Sequence, residues 1–213
     1  MTSWQNYVDF MKSKGAVDEI MIVSSEDGAL WAASPDSFQL REYPAQIAQE
    51  DGSEKEQIVN EAVNILQFIK SAPPNTGLRL NGGKKQQVLR TEKDSVTGGN
   101  IVYGKFPQGG SCIADAGRCI LIGTFSEAKA QTSAACNDLI TLMARYLRQS
   151  TWPDGDEGTV DATSGGSKTW QPFIDSMLIA KGNVSEALIC SRADAKLWAS
   201  TPKFEVRFLT KSI

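Results

Sequence analysis

The chain has 213 residues, 41% of them hydrophobic and 22% charged, with a net charge of −3 and no histidine. Those proportions are ordinary for a globular domain, and the acidic balance, with a pI of about 5.1, gives no general attraction for nucleic acid. Without histidine there is no Ser-His-Asp or Cys-His nucleophile system and no His-ligated metal.

The opening Met1-Thr2-Ser3-Trp4-Gln5 has neither the basic nor the apolar stretch of a secretory signal, and no apolar run reaches the roughly 18 residues of a membrane span. Ser3 is an expected N-cap. Trp4, Tyr7, Val8 and Met11 recur at helical spacing, which predicts a helix to about Lys14 with Gly15 as its stop. On these residues alone, Trp4 and Tyr7 read first as core positions, with an exposed aromatic pair as the alternative. Residues 19–25 and 29–34 read as strands joined by Asp27-Gly28, a strong hairpin signal, and stopped by Pro35-Asp36. Residues 36–57 are polar, with Glu50, Asp51, Glu54 and Glu56. Ser53 and Glu56 have capping-box spacing, and Ile58, Val59, Ala62, Val63, Leu66 and Ile69 follow. This predicts a helix over 54–70, ended before Pro73-Pro74. The acidic cluster suits the first turn of such a helix; as a calcium loop its ligand spacing is wrong.

From Gly77 the pattern changes to short strands and tight turns. Leu78-Arg79-Leu80 runs into the turn Asn81-Gly82, and Val88-Leu89 continues the next strand. Gly98-Gly99, Pro107 and Gly109-Gly110 punctuate, then 111–114 and 119–125 follow on either side of Asp115-Ala116-Gly117. The spacing predicts an antiparallel meander. Gly77 to Lys84 has the glycines of a phosphate loop but a third glycine, Gly83, where its lysine belongs. Cys112, Cys119, Cys136 and Cys190 fit neither a small disulfide framework nor an all-thiolate zinc site, and read as reduced cytosolic thiols in apolar surroundings. Residues 132–149 form a final helix with Ala135, Leu139, Leu142, Met143 and Leu147 as its apolar stripe; 153–168, rich in Gly, Ser, Thr and acid, are a linker.

After the linker the opening is written again. Trp170-Gln171-Pro172-Phe173-Ile174-Asp175 repeats Trp4 to Asp9, about 166 residues on. Gly182, Glu186 to Cys190, Asp194-Ala195, Leu197-Trp198-Ala199 and Pro202 repeat Gly15, Glu19 to Val23, Asp27-Gly28, Leu30-Trp31-Ala32 and Pro35. The offset is too long for a solenoid and reads as a domain-sized duplication. It predicts a first domain over 1–152, a linker over 153–168 and a second, truncated copy over 169–213, marginal by itself because about 45 residues make a small core.

The ordered set resembles the profilin family. The pieces that carry the resemblance are Ser3 to Asp9, Leu30 to Ala33, Gly77 to Gly83 with Val88-Leu89-Arg90, Gly109-Gly110, Gly117 to Gly123 and Tyr146 to Ser150. Each is weak alone; the series over about 150 residues is specific. The acidic insert before the second helix is closer to profilins of apicomplexan-type protists than to those of animals or plants. The resemblance implies an α+β fold, a central antiparallel sheet with the N- and C-terminal helices side by side on one face. It implies a non-enzymatic, cytoplasmic protein of the cytoskeleton without cofactors, binding monomeric actin and the proline-rich segments of formin-like proteins. Carried over position by position, the polyproline groove falls on Trp4, Tyr7, Trp31, Tyr146 and Trp152. Flat rings stack on a polyproline II helix, which needs little ordering to bind. The actin contacts fall on Lys85, Arg90 and Asn137. Gly104 and Phe106 stand where animal members are basic, Asp138 replaces a lysine and Thr132 a histidine. These departures leave an alternative, an adaptor that kept the groove and lost actin. They also imply weak phosphoinositide binding, which depends on basic density.

Overall fold

Central strands buried on both faces organise the molecule. The structure, a computed structural model, describes residues 3–49, 51–149, 179, 185–190 and 197–201. Its elements in chain order are α1 (Ser3–Ser13), β1 (Ile20–Ser24), β2 (Leu30–Ser34), β3 (Glu42–Ala48), β4 (Glu54–Asn60), α2 (Glu61–Ile69), β5 (Leu78–Leu80), β6 (Lys84–Lys93), β7 (Asn100–Phe106), β8 (Gly109–Asp115), β9 (Cys119–Ser126), α3 (Ser133–Gln149), β10 (Leu188–Cys190) and β11 (Leu197–Ser200). Seven strands pair in the order β2-β1-β9-β8-β7-β6-β5, antiparallel throughout. The stretch from β5 to β9 is the expected meander, and the β1–β2 hairpin joins it along β9.

Successive residues of the central strands serve two cores. Ile20, Ile22, Leu121, Cys112 and Ala114 pack with Val8 and Met11 of α1 and with Leu139, Ile140 and Met143 of α3. Met21, Val23, Ile120, Ile122, Ile113 and Val102 face the other way, onto Phe38 and onto Ile65, Phe68 and Ile69 of α2. The terminal helices therefore share one face of the sheet, and α2 covers the other. Both faces are dry, so β1 is buried along its whole length and reads as an unbroken apolar run. Gly123 permits the close seating of α3: a Cβ there would meet Ile140 Cδ1 at 2.6 Å.

The helix expected over 54–70 is shorter. Residues 54–60 form β4, which pairs with β3 from Glu42↔Asn60 to Ala48↔Glu54. Helical spacing put Ile58 and Val59 on one stripe. In a strand they point oppositely, and Val59 is buried while Ile58 is 62% exposed. Ser53 caps no helix; its amide and hydroxyl donate to Asp51 in the hairpin turn at 2.9 and 2.6 Å. The cap is Asn60, whose Oδ1 accepts the Val63 amide at 3.0 Å.

The thiols of Cys112, Cys119 and Cys136 are free and buried. Burial pushes Cys119 and Cys136 up to about 12 and raises Cys112 well above the usual thiol range. They pack as small apolar groups.

Candidate functional site

Trp4 and Tyr7 lie one helical turn apart on α1 and so share a face. Trp4 packs on Trp31 of β2, with ring centroids 4.7 Å apart and planes at 38°, and on Tyr7 at 5.8 Å. Tyr7 meets Tyr146 of α3 at 6.1 Å. Four of the five expected aromatics thus form one continuous array across β2, α1 and α3. The fifth, Trp152, lies outside the described residues, as do Trp170 and Phe173 of the repeat. Trp4, Tyr7 and Trp31 are partly buried against the core and keep part of their surface open. Tyr146 differs: at 2% exposure it backs Tyr7 instead of presenting a ring of its own. Burial first, then the Tyr146 hydroxyl, raises the Tyr7 phenol far above its ordinary value, so it stays a neutral donor.

The second cluster lies where β6 and β7 meet α3. An open depression of about 810 Å³ is lined by Arg90, Tyr103, Asn137, Asp138, Thr141 and Arg145 among others. Arg90 lies over the Tyr103 ring, 4.4 Å from its centroid, and 3.5 Å from Glu92. Lys85 is exposed further along β6. Gln87 lies opposite Lys105 and Arg90 opposite Tyr103; strand alternation puts Lys85 on the same side as Gln87. All three expected contacts thus belong to the α3 side of the sheet. Sequence reasoning missed Leu89 and Lys105. Leu89 is the extra residue of a bulge between Val88 and Arg90 and is 59% exposed. Its signal was the adjacent apolar pair Val88-Leu89, which breaks strand alternation. Lys105 pairs with Glu127 at 2.7 Å.

Among the described residues no cluster of acidic and thiol side chains is arranged to hold a metal, and no helix is long and apolar enough to cross a membrane. The sequence model of the family described as Profilin matches residues 2–152 and again 168–209. The chain belongs to the profilin family. It is 27% identical over 161 residues to a profilin of Tetrahymena pyriformis, covering 70% of this chain and 99% of that one. Among solved structures, Acanthamoeba castellanii profilin II is 23% identical with a TM-score of 0.49, over 68% of this chain and 96% of that chain. Mouse profilin IIa in complex with a double repeat from the FH1 domain of mDia1 is 22% identical with a TM-score of 0.49, over 70% and 99%.

The second profilin match contains β10 and β11, and their pairing copies the first hairpin. Met21↔Ala33, Ile22↔Ala32 and Val23↔Leu30 become Leu188↔Ser200, Ile189↔Ala199 and Cys190↔Leu197. Both registers shift at the same place, Ile22/Val23 and Ile189/Cys190.

Proposed function

We propose that this profilin binds proline-rich segments of formin-like proteins through the Trp31–Trp4–Tyr7 array, backed by Tyr146 and joined by Trp152, and binds monomeric actin through the α3 side of β6 and β7. It acts by binding, in the cytoplasm with the actin cytoskeleton, and needs no cofactor. The observation that carries this reading is the unbroken contact of Trp31, Trp4, Tyr7 and Tyr146 across three elements. Partly open indole and phenol rings supply flat apolar faces for the proline rings of a polyproline II helix. On the other side, Arg90, Lys105 and Asn137 offer charge and hydrogen bonds near exposed Leu89, and Lys85 adds a charge further along β6. Arg90 and Lys105 already have carboxylate neighbours. This supports only weak binding of phosphoinositides, with their dense negative charge.

The chain divides in this reading into a profilin domain over 1–152, a linker over 153–168 and a second profilin copy over 169–213; the two family matches and the repeated register support the division. One observation favours the adaptor alternative, in which actin is lost: Asp138 puts a carboxylate in the same depression as Arg90 and Asn137. Titration of the full chain with monomeric actin separates the two. Saturable, salt-sensitive binding supports the first, and none at micromolar actin with proline-decamer binding intact supports the second.

A further inference from the structure

A carboxylate taken out of water must be given donors, and Glu61, the first residue of α2, is fully buried. Its Oε2 accepts the Arg41 amide at 3.0 Å. Its Oε1 accepts the Tyr43 hydroxyl at 3.2 Å and the Gly82 and Gly83 amides at 3.1 and 3.3 Å. Asn81, Gly82 and Gly83 have φ of 54°, 81° and 116° in succession. Successive amides in such a turn converge on one point and make a concavity for an anion. Two of the glycines in the stretch resembling a phosphate loop, Gly82 and Gly83, form an anion nest, and the anion in it is the chain's own carboxylate.

One turn further along α2, Asn64 is buried as well. Its Nδ2 donates to the Gly77 carbonyl at 3.1 Å and its Oδ1 accepts the Thr76 hydroxyl at 3.2 Å. Helix α2 thus holds both ends of β5, Gly77 through Asn64 and Gly82-Gly83 through Glu61. The β5–β6 hairpin so held carries Lys85, opposite Arg79 in the register. Arg79 itself donates to the Thr76 and Gly83 carbonyls, both at 3.3 Å. Arg41, just before β3, and Tyr43, within it, share the same carboxylate, so the β3–β4 arm, α2 and the hairpin are locked at one residue.

We propose that Glu61 is a positioning residue for actin binding: by filling the nest at Asn81–Gly83 it fixes the β5–β6 hairpin and with it Lys85. The proposal rests on the reading that Lys85 faces actin. The donors to Glu61 come from two places, the start of the β3–β4 arm and the β5–β6 turn; neutralising this one group releases the hairpin turn while leaving the aromatic array, on the opposite face of the sheet from α2, in place.

The test uses the full chain with Glu61→Gln, which keeps volume and loses charge. Amide exchange should rise about tenfold or more at Gly82 and Gly83, the equivalent of losing a charge-assisted hydrogen bond, and stay unchanged over Cys119 to Thr124. Actin affinity should fall about fivefold in the wild-type background and less than about twofold in a Lys85→Ala background, the non-additivity of residues that act through one another. Proline-decamer binding should not change. Unchanged exchange at Gly82 and Gly83 overturns the proposal. So does an equal loss of actin affinity in both backgrounds, or a parallel loss of proline binding, which marks a merely structural role. If Lys85→Ala alone is silent towards actin, the assignment of Lys85 has failed, and the exchange measurement still decides whether Glu61 sets the turn. Should Glu61→Gln not fold, Glu61→Asp, which keeps the charge and shortens the reach, carries the same measurements.

Discussion

Trp4 touches both Trp31 and Tyr7, so removing its ring opens the array at its middle. Burying one indole face, of order 100 Å², is worth roughly 2.5 kcal/mol at about 25 cal/mol per Å². Trp4→Ala should weaken proline-decamer binding by about that much, read from the change in tryptophan fluorescence; binding equal to wild type would remove Trp4 from the site. A second residue-scale prediction concerns Asp94, buried at the start of the β6–β7 turn. Burial by itself would raise its carboxyl, but the Arg145 guanidinium and the Thr97 hydroxyl and amide outweigh that and hold it below the ordinary 3.8. A carboxyl lowered in the folded state stabilises the fold fully above its unfolded value and loses that contribution as the pH falls through the folded one. Asp94→Asn should therefore cost about 1.5–3 kcal/mol at pH 7, and the difference from wild type in urea unfolding should shrink below about pH 4. A difference that stays constant into acid would contradict the ion pair's role. The aromatic pair on α1 was legible as a helical i, i+3 pair, but that Tyr146 backs Tyr7 was not, because its burial depends on how α3 seats over β8 and β9.

Helix α2 and the arm before it show where local sequence signals compete. Ser53-x-x-Glu56 has the spacing of a capping box and Asn60 does not, yet Asn60 makes the cap. Asn60→Ala should cost about 1 kcal/mol, while Ser53→Ala, on an exposed hairpin turn, should change stability by less than about 0.5 kcal/mol. The reverse order in thermal unfolding would restore the longer helix. The strands β1, β2 and β5 to β9 were legible because Asp27-Gly28, Asn81-Gly82 and the later glycines mark their turns, and because β1, β8 and β9, buried on both faces, read as short apolar runs. The arm was not legible because β3 and β4 bury little: only Ile47 and Val59 are fully inward, too few for a period of two to stand out against the helical run that begins beside them. Glu61 was hidden for a different reason. Three consecutive residues suited to positive φ announce a nest, but nothing local says which distant carboxylate fills it.

At the scale of the whole molecule the duplicated hairpin and the original differ in their neighbours. Strand β1 is paired on both sides, by β2 and β9; among the described residues β10 pairs with β11. A two-stranded pair alone is marginal in water. Amides of Leu188 to Cys190 should exchange faster than those of Ile120 to Thr124 in the full chain, and equal protection would mean that the second copy is held by further packing. Within the first copy the aromatic array spans β2, α1 and α3, whereas Arg90 and Asn137 line one depression at the other end of the sheet order, with Lys85 further along β6 on the same side of the sheet. Lys85→Glu and Arg90→Glu should each lower actin affinity and leave proline binding intact; joint loss of both would indicate unfolding. The most direct measurement is a titration of the full chain with monomeric actin, with and without saturating proline decamer. Two separate sites predict that actin binds with the same affinity in both and that a ternary complex forms. Absence of actin binding, or displacement of one ligand by the other, would contradict the account.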